Sequence, residues 1–202
     1  MTDVNLILSS MKLSERRLKH TLGVAEAAKE LASTHFPALD LKQVELAALM
    51  HDYTKEYTPE KQFELCERYG IELTESERLT PKLLHAKTAA MIASDRFGLQ
   101  SEVCSAIHWH TTGRPNMTPF EIVIYLADYI EEFREDPDCV KLREFYKKAL
   151  VKERDKNIAL TKTLVRSFDT TIKHLLSGQQ LIDQMTMEAR NFYIKQLNAI
   201  TF

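Results

Sequence analysis

From Ser14 onward, apolar residues recur at helical rather than strand spacing, and capping residues mark where each run starts. Ser14 is placed to cap a helix through ERRLKHTLGVAEAAKELAS, with Leu18, Leu22, Ala25 and Ala28 near one face. FPALD breaks that run, and Asp40 is a candidate cap for a helix through LKQVELAALMHD. A short helix through TPEKQFELCERYG should end at Gly70. Thr80 followed by Pro81 opens KLLHAKTAAMIASDRF, which Gly98 would terminate, and Ser101 starts another helix through EVCSAIHWH. After the loop TTGRPNM, Thr118 to Glu121 form a capping-box pattern ahead of EIVIYLADYIEEF. Beyond Asp136-Pro137-Asp138 the pattern gives two or three amphipathic helices with a turn near SGQQ. There is no convincing strand alternation, internal repeat or low-complexity segment; a short hairpin near Gly178 is the one place a strand would fit. The expected fold class is all-α, a compact helical bundle.

Composition narrows this without changing it. A chain of 202 residues can bury one sizeable core, so a single domain over 1–202 is the economical expectation. Within it, a core of about 10–135 carries the chemistry, and a helical extension over 139–202 packs on it. Five Gly and six Pro are few for the length, which favours helices over turn-rich sheets. A net charge of −2 offers no global attraction to nucleic acid or an anionic membrane, so a polyanionic ligand would need a local positive site. Cys66, Cys104 and Cys139 lack metal-type spacing and read as reduced thiols of a cytoplasmic protein. MTDVNLILSSMKLSERR has no basic segment followed by a long apolar one, so no signal peptide is expected, and no apolar run is long enough to span a bilayer.

The candidate chemistry lies in where histidines and aspartates meet apolar helix. His51 and Asp52 end an almost wholly apolar run, and a carboxylate buried there loses hydration worth several kcal/mol unless something pairs with it. Asp128 follows IVIYLA and makes the same argument a second time. His20 lies close to the apolar stripe of its helix, and His85 is in the first turn of its own, in line with Ala89 and Ile92. In AIHWH a choice is needed. His110 shares a face with Val103 and Ile107, whereas His108 aligns with Cys104 and Ser101, so His110 is the better ligand and His108 a neighbour. His20, His51, Asp52, His85, His110 and Asp128 are enough ligands for two metals. Imidazole plus carboxylate without thiolate suits Fe, Mn, Co or Ni better than a structural zinc site. Two ions bridged by Asp52 and a hydroxide would make a phosphoryl-transfer site; the bland alternative is a buried polar network.

These residues, in the order His20, His51-Asp52, His85, His110 and Asp128, resemble the HD-domain metal phosphohydrolase superfamily. More narrowly, RLKHTLGVAEAAKELA, AALMHDYTKEY, LLHAKTAA, HTTGRPNMTPFEIVIYLADYIE and MTMEARNFY look like the bacterial YqeK-type family of symmetrical diadenosine tetraphosphate hydrolases, over nearly the whole chain. The resemblance implies a helical HD fold, a di-iron-type centre and hydrolysis of diadenosine tetraphosphate to two ADP. It implies His20, His51, Asp52 and Asp128 on one metal and His85 and His110 on the second, with Asp52 bridging. It also implies that Lys55 neutralises a phosphate oxygen, with Thr111, Gly113 and Arg114 in a substrate loop. Three positions depart from the family pattern: Glu132 stands where proline is common, Thr54 where alanine is expected, and His108 where another residue is expected.

Two rivals remain open at this level. One is an HD phosphohydrolase acting on a mononucleotide or a guanosine polyphosphate alarmone, with the same metal ligands. The other is a non-catalytic nucleotide-sensing protein that keeps its metal as a structural staple. A nucleic-acid-binding role is disfavoured because no basic stripe with interleaved aromatics is present. The expected partner is a small nucleotide, and the apolar C-terminal helices suggest a homodimer.

Overall fold

The computed structural model describes residues 4–201, with side chains through 199. It is all-α, and no strand occurs among the described residues, including around Gly178. The helices are α1 (Val4–Ser10), α2 (Glu15–His35), α3 (Leu41–Met50), α4 (Pro59–Arg68), α5 (Glu75–Leu79), α6 (Leu84–Phe97), α7 (Ser101–Trp109), α8 (Pro119–Ile130), α9 (Pro137–Lys152), α10 (Lys156–Ser177) and α11 (Gln184–Thr201). The chain reverses at caps that satisfy the free amides of each first turn. The side chains of Ser14, Asp40 and Thr58 accept from Arg17, Lys42 and Lys61, and Thr118 with Glu121 closes a full capping box. Gly70 and Gly98 take the left-handed conformation that ends α4 and α6.

At the centre, α2 packs on α3 and α8, α7 bridges α3, α6 and α8, and the C-terminal α10 lies against α9, α11, α2 and α8. Phe168 of α10 joins these layers. Its ring is fully buried and stacks on Tyr125 of α8 at 4.8 Å and on Tyr193 of α11 at 6.2 Å.

Two local expectations are corrected, and two short helices go unforeseen. Leu22 does not face the core of α2; it is 43% exposed, and the buried face runs through His20, Val24, Ala28 and Leu31. Each residue advances about 100°, so a Leu two positions from His20 lies nearly opposite it. Thr80 does not cap α6; its side chain makes no capping bond, Pro81–Leu83 form a 3-10 turn, and the helix proper starts at Leu84. The Thr80 amide instead closes α5, a helix of five residues capped by Thr74 and Glu77 that is too short to show periodicity. The seven-residue α1 escapes notice for the same reason.

Candidate metal centre

Four helix ends and one helix interior converge on Asp52. Past Met50 the chain makes successive tight turns, with Tyr53, Lys55 and Tyr57 amides donating three residues back to Met50, Asp52 and Thr54. This winding lets the adjacent His51 and Asp52 approach each other, with His51 Nε2 at 3.4 Å from Asp52 Oδ2. His85 enters from the start of α6, His110 from the end of α7, His20 from the second turn of α2, and Asp128 from the last turn of α8. Within this group, His51, His85 and His110 are 1% exposed or less, and Asp52 is 2% exposed.

Asp52 has two distinct sides. Its Oδ1 faces His85 Nε2 at 3.2 Å and His110 Nε2 at 3.7 Å. Its Oδ2 faces His51 Nε2 at 3.4 Å and His20 Nε2 at 3.7 Å. Asp128 adds its Oδ1 to the second side, 3.0 Å from His20 Nε2 and 3.8 Å from His51 Nε2. Three ligand sets have all their donor atoms within 4.8 Å of one another: His20 with His51 and Asp52, Asp52 with His85 and His110, and His51 with His110 and Asp128.

The imidazole orientations test whether cations fit here. Nδ1 of His51 lies 2.6 Å from the Ala48 carbonyl, Nδ1 of His85 lies 2.6 Å from that of Lys82, and Nδ1 of His110 lies 2.7 Å from that of Ile107. A carbonyl only accepts, so each Nδ1 carries the proton and each Nε2 presents a lone pair inward. The Nε2 atoms of His85 and His110 then face each other at 3.0 Å, lone pair against lone pair, which a cation between them would relieve. His51 Nε2 and His20 Nε2 are buried without a hydrogen-bond partner among the described residues. Nitrogens fixed on one edge by a hydrogen bond and bare on the other are arranged as metal ligands are. The residues present fit a cation-binding site.

His20 differs from the other three. Its Nδ1 lies 3.1 Å from Oε1 of Glu131, a carboxylate only 1% exposed. Glu131 reaches this close because residue 23 is glycine. A Cβ there would stand 2.3 Å from Glu131 Oε2 and 2.8 Å from the Phe133 ring. The turn carrying Glu131 is held by Arg143, which donates to the carbonyls of Glu131 and Arg134.

Burial pushes the Asp52 carboxyl up, but the surrounding imidazoles of His51, His110 and His85 outweigh it and hold the group well below the usual carboxylate range. Asp128 is likewise held low: burial opposes, and the Arg134 charge and the neighbouring His20 imidazole prevail. His85 is pushed down to about 4 by burial and then by the Lys55 charge, and burial also lowers His110. His20 is raised; burial lowers it, but the Asp128 and Glu131 carboxylates beside its two nitrogens more than compensate.

Of the residues expected around the ligands, Lys55 and Thr111 reach the cluster. Lys55 Nζ lies 3.2 Å from His85 Nε2 and 3.9 Å from Asp52 Oδ1, and Thr111 Oγ1 lies 3.3 and 3.2 Å from the His85 and His110 Nε2 atoms. Arg114 is drawn elsewhere: it forms a two-pronged pair with the fully buried Glu121 at 2.9 and 3.0 Å. Gly113 also has a packing reason for its identity. Its φ is +64° and a Cβ would meet the Phe168 ring at 2.8 Å. His108 stays outside the cluster, lining a cavity of about 80 Å³ with Trp109, Thr111 and Lys87. Thr54 is absorbed into a buried network: its hydroxyl donates to the His85 carbonyl at 3.0 Å and meets Thr88 Oγ1 at 2.8 Å. Glu132 is exposed and pairs with Lys147 at 2.6 Å.

Sequence reasoning missed Arg17, whose Nη1 lies 2.6 Å from Asp52 Oδ2, and gave no contact for Arg134, whose Nη2 lies 2.9 Å from Asp128 Oδ1. Arg17 had a signal, since it stands one turn before His20 on the same face of α2. Glu131 had none, because a Glu-Glu pair after an apolar helix reads as solvated surface.

Comparison with known proteins agrees with this geometry. Residues 17–132 match the model of the HD domain. The chain is 36% identical over 180 residues to the symmetrical bis(5'-nucleosyl)-tetraphosphatase of Halalkalibacterium halodurans, covering 89% of each chain. It is also 36% identical over 186 residues to the enzyme of the same name from Bacillus subtilis, covering 91% of this chain and 92% of that one. Among solved structures, a Clostridium acetobutylicum HD-superfamily hydrolase described as involved in NAD metabolism superposes with a TM-score of 0.85 at 35% identity, over 97% of this chain and 99% of the other. A helical bundle with His51-Asp52 at its centre, and relatives aligned almost end to end, lead to one conclusion: the chain belongs to the HD-domain family of hydrolases, in its YqeK-type branch.

Proposed function

We propose that this protein hydrolyses diadenosine tetraphosphate symmetrically to two ADP at a centre of two transition-metal ions, iron foremost. The observation that carries the reading is the two-sidedness of Asp52, each of whose oxygens faces its own pair of imidazoles. His20, His51, Asp52 and Asp128 would hold one ion and His85 and His110 the other, with Asp52 shared. Imidazole and carboxylate donors without thiolate suit Fe, Mn, Co or Ni. Ions held there supply a lowered pKa for water and stabilisation of charge on the attacking and leaving oxygens. The substrate is read across from the name of the relatives 36% identical to this chain, symmetrical bis(5'-nucleosyl)-tetraphosphatase.

The protein's own residues have defined tasks. The Nδ1–H bonds of His51, His85 and His110 to carbonyls of their own turns keep Nε2 unprotonated and aimed inward. Glu131 does the same for His20 through a charged acceptor, which makes that imidazole a stronger donor. Lys55 is one-third exposed at the mouth and would neutralise a phosphate oxygen, while Thr111 offers a hydroxyl beside His85 and His110. No serine, cysteine or threonine nucleophile is required.

Product analysis tests the substrate. Incubation of the metal-loaded protein with diadenosine tetraphosphate should give ADP alone, and AMP plus ATP would overturn the symmetric reading. Elemental analysis should find two transition-metal ions per chain. Asp52→Ala, whose side chain serves both sides, should lose both ions and about 10³-fold or more in rate with the helical fold intact.

A further inference from the structure

Next to His85 lies a set of buried polar side chains that supplies no ligand atom to the cluster. Thr54, two residues past Asp52, is fully buried, as is Thr88 of α6, and Gln62 of α4 is almost so. Gln62 Nε2 donates to the Thr54 carbonyl at 2.7 Å; a carbonyl only accepts, so the amide nitrogen must face it and the amide oxygen must face Thr88. That oxygen takes the Thr88 hydroxyl proton at 2.7 Å. Thr88 Oγ1 is then left to accept from Thr54 Oγ1 at 2.8 Å, and Thr54 shares its proton with the His85 carbonyl at 3.0 Å. Thr54, Thr88 and Gln62 thus close a ring of hydrogen bonds across three segments: the turn after α3, α4 and α6.

The ring grips a helix start that lacks an anchor of its own. α6 follows a 3-10 turn, and its N-cap residue Leu83 makes no side-chain capping bond, whereas α2, α3, α4 and α8 are all capped by side chains. His85, in the first turn of α6, is fixed from within by Nδ1 on the Lys82 carbonyl, which decides which nitrogen faces Asp52. That bond moves with the helix, so it cannot set how far α6 stands from Asp52. Thr54 can, because it shares a turn with Asp52 and holds the backbone carbonyl of His85 itself. The 3.2 Å between Asp52 Oδ1 and His85 Nε2 is therefore spanned by two backbones tied together within two residues of the carboxylate. Partners outside a ligand set that fix its geometry govern its affinity for an ion. His20 and Asp128, on the Oδ2 side, come from α2 and α8, which the ring does not include.

We propose that Thr54, Thr88 and Gln62 are positioning residues: their ring sets the spacing between the Asp52 turn and His85, and with it the affinity of the Oδ1 side for its ion. The proposal rests on the two-ion reading of Asp52 and adds to it three residues that act through His85 alone. It also gives Thr54, one of the departures from the family pattern, a task in the centre.

The test measures Mn²⁺ binding by titration calorimetry on wild type, Thr54→Val, Thr54→Ser, Thr88→Val and the double valine variant, with thermal unfolding on the same samples. His85→Ala identifies the Oδ1-side step, as the one it lacks. Valine matches threonine in shape and removes only the hydroxyl, so each variant should keep the helical fold. Thr54→Val and Thr88→Val should each weaken the Oδ1-side step about tenfold and leave the other step unchanged. Thr54→Ser, which keeps the hydroxyl, should stay near wild type. The double variant should lose less than the product of the single losses, because both break one ring. Equal weakening of both steps, unchanged affinity in both valine variants, or a Thr54→Ser as weak as Thr54→Val overturns the proposal. A second readout needs no ion. In ¹⁵N imidazole spectra of the metal-free protein, His85 should shift in Thr54→Val and return in Thr54→Ser, with His20 unmoved; a His85 signal unaffected by valine also overturns the proposal. If wild type binds one ion only, the two-ion reading fails, and the imidazole spectra alone decide whether the ring positions His85.

Discussion

The two sides of Asp52 are built from different materials. The Oδ2 side is ionic: it gathers Asp128, Arg17 and Arg134, and its His20 leans on the buried Glu131. The Oδ1 side is neutral apart from Lys55, with His85 and His110 anchored on carbonyls of their own turns and Thr111 beside them. The same burial that drives His85 down to about 4 is overcome at His20, whose imidazole is raised by the Asp128 and Glu131 carboxylates beside it. One side thus depends on long-range charge partners, and the other on backbone geometry local to each helix end. A cation should be held more tightly where two carboxylates share it than where one does.

The largest effect expected from this contrast is on metal occupancy. His85→Ala removes half of the imidazoles on the Oδ1 side and should leave one ion per chain by elemental analysis, the one on the ionic side. Chelator titration of wild type should release the ions in two steps with the Oδ1-side ion leaving first; a single step would dissolve the distinction. A smaller effect is expected from Gly23→Ala. Alanine in a helix interior is ordinarily favourable by about 1 kcal/mol. Here its Cβ would push the flexible end of Glu131 off His20. The fold should persist while affinity for the Oδ2-side ion falls about 10- to 100-fold and the other ion is unaffected. Equal loss at both ions would show that Glu131 does not act on one side alone.

The smallest effect separates burial from charge. His35, hydrogen-bonded to Tyr146 at 2.9 Å and far along α2 from the cluster, is pushed from 6.5 to about 4 by burial and then by the Lys156 charge. Unfolding restores the ordinary value, so the unfolded chain binds more protons between about pH 6.5 and 4. Stability from this group is full above that window and declines as pH falls through it. In the metal-free protein, chemical denaturation of His35→Gln should show a shallower acid decline than wild type, leaving the contributions of the cluster exposed. An unaltered decline would place the whole acid response in the cluster.

Much of this molecule is legible without coordinates, for local reasons. Ser14, Asp40, Thr58 and the Thr118–Glu121 box cap their helices because capping depends on residues within one turn. The six candidate ligands stand out because an ionisable group inside an apolar run carries a desolvation cost that is visible in the order of residues alone. His110 is distinguished from His108 by helical phase, and the structure puts the first in the cluster and the second beside a separate cavity.

Tertiary structure decided the rest. Only the crossing of α2 with the turn after α3 gives Asp52 a guanidinium partner, and only the bend after α8 carries Glu131 back to His20. Arg114 and Gly113, which sit in the loop motif, are claimed by Glu121 and Phe168, residues seven and fifty-five positions away. The order of residues determined which groups could not tolerate burial alone. Which partner each of them found was set by helix packing, because pairing across the core depends on distances that no local pattern encodes.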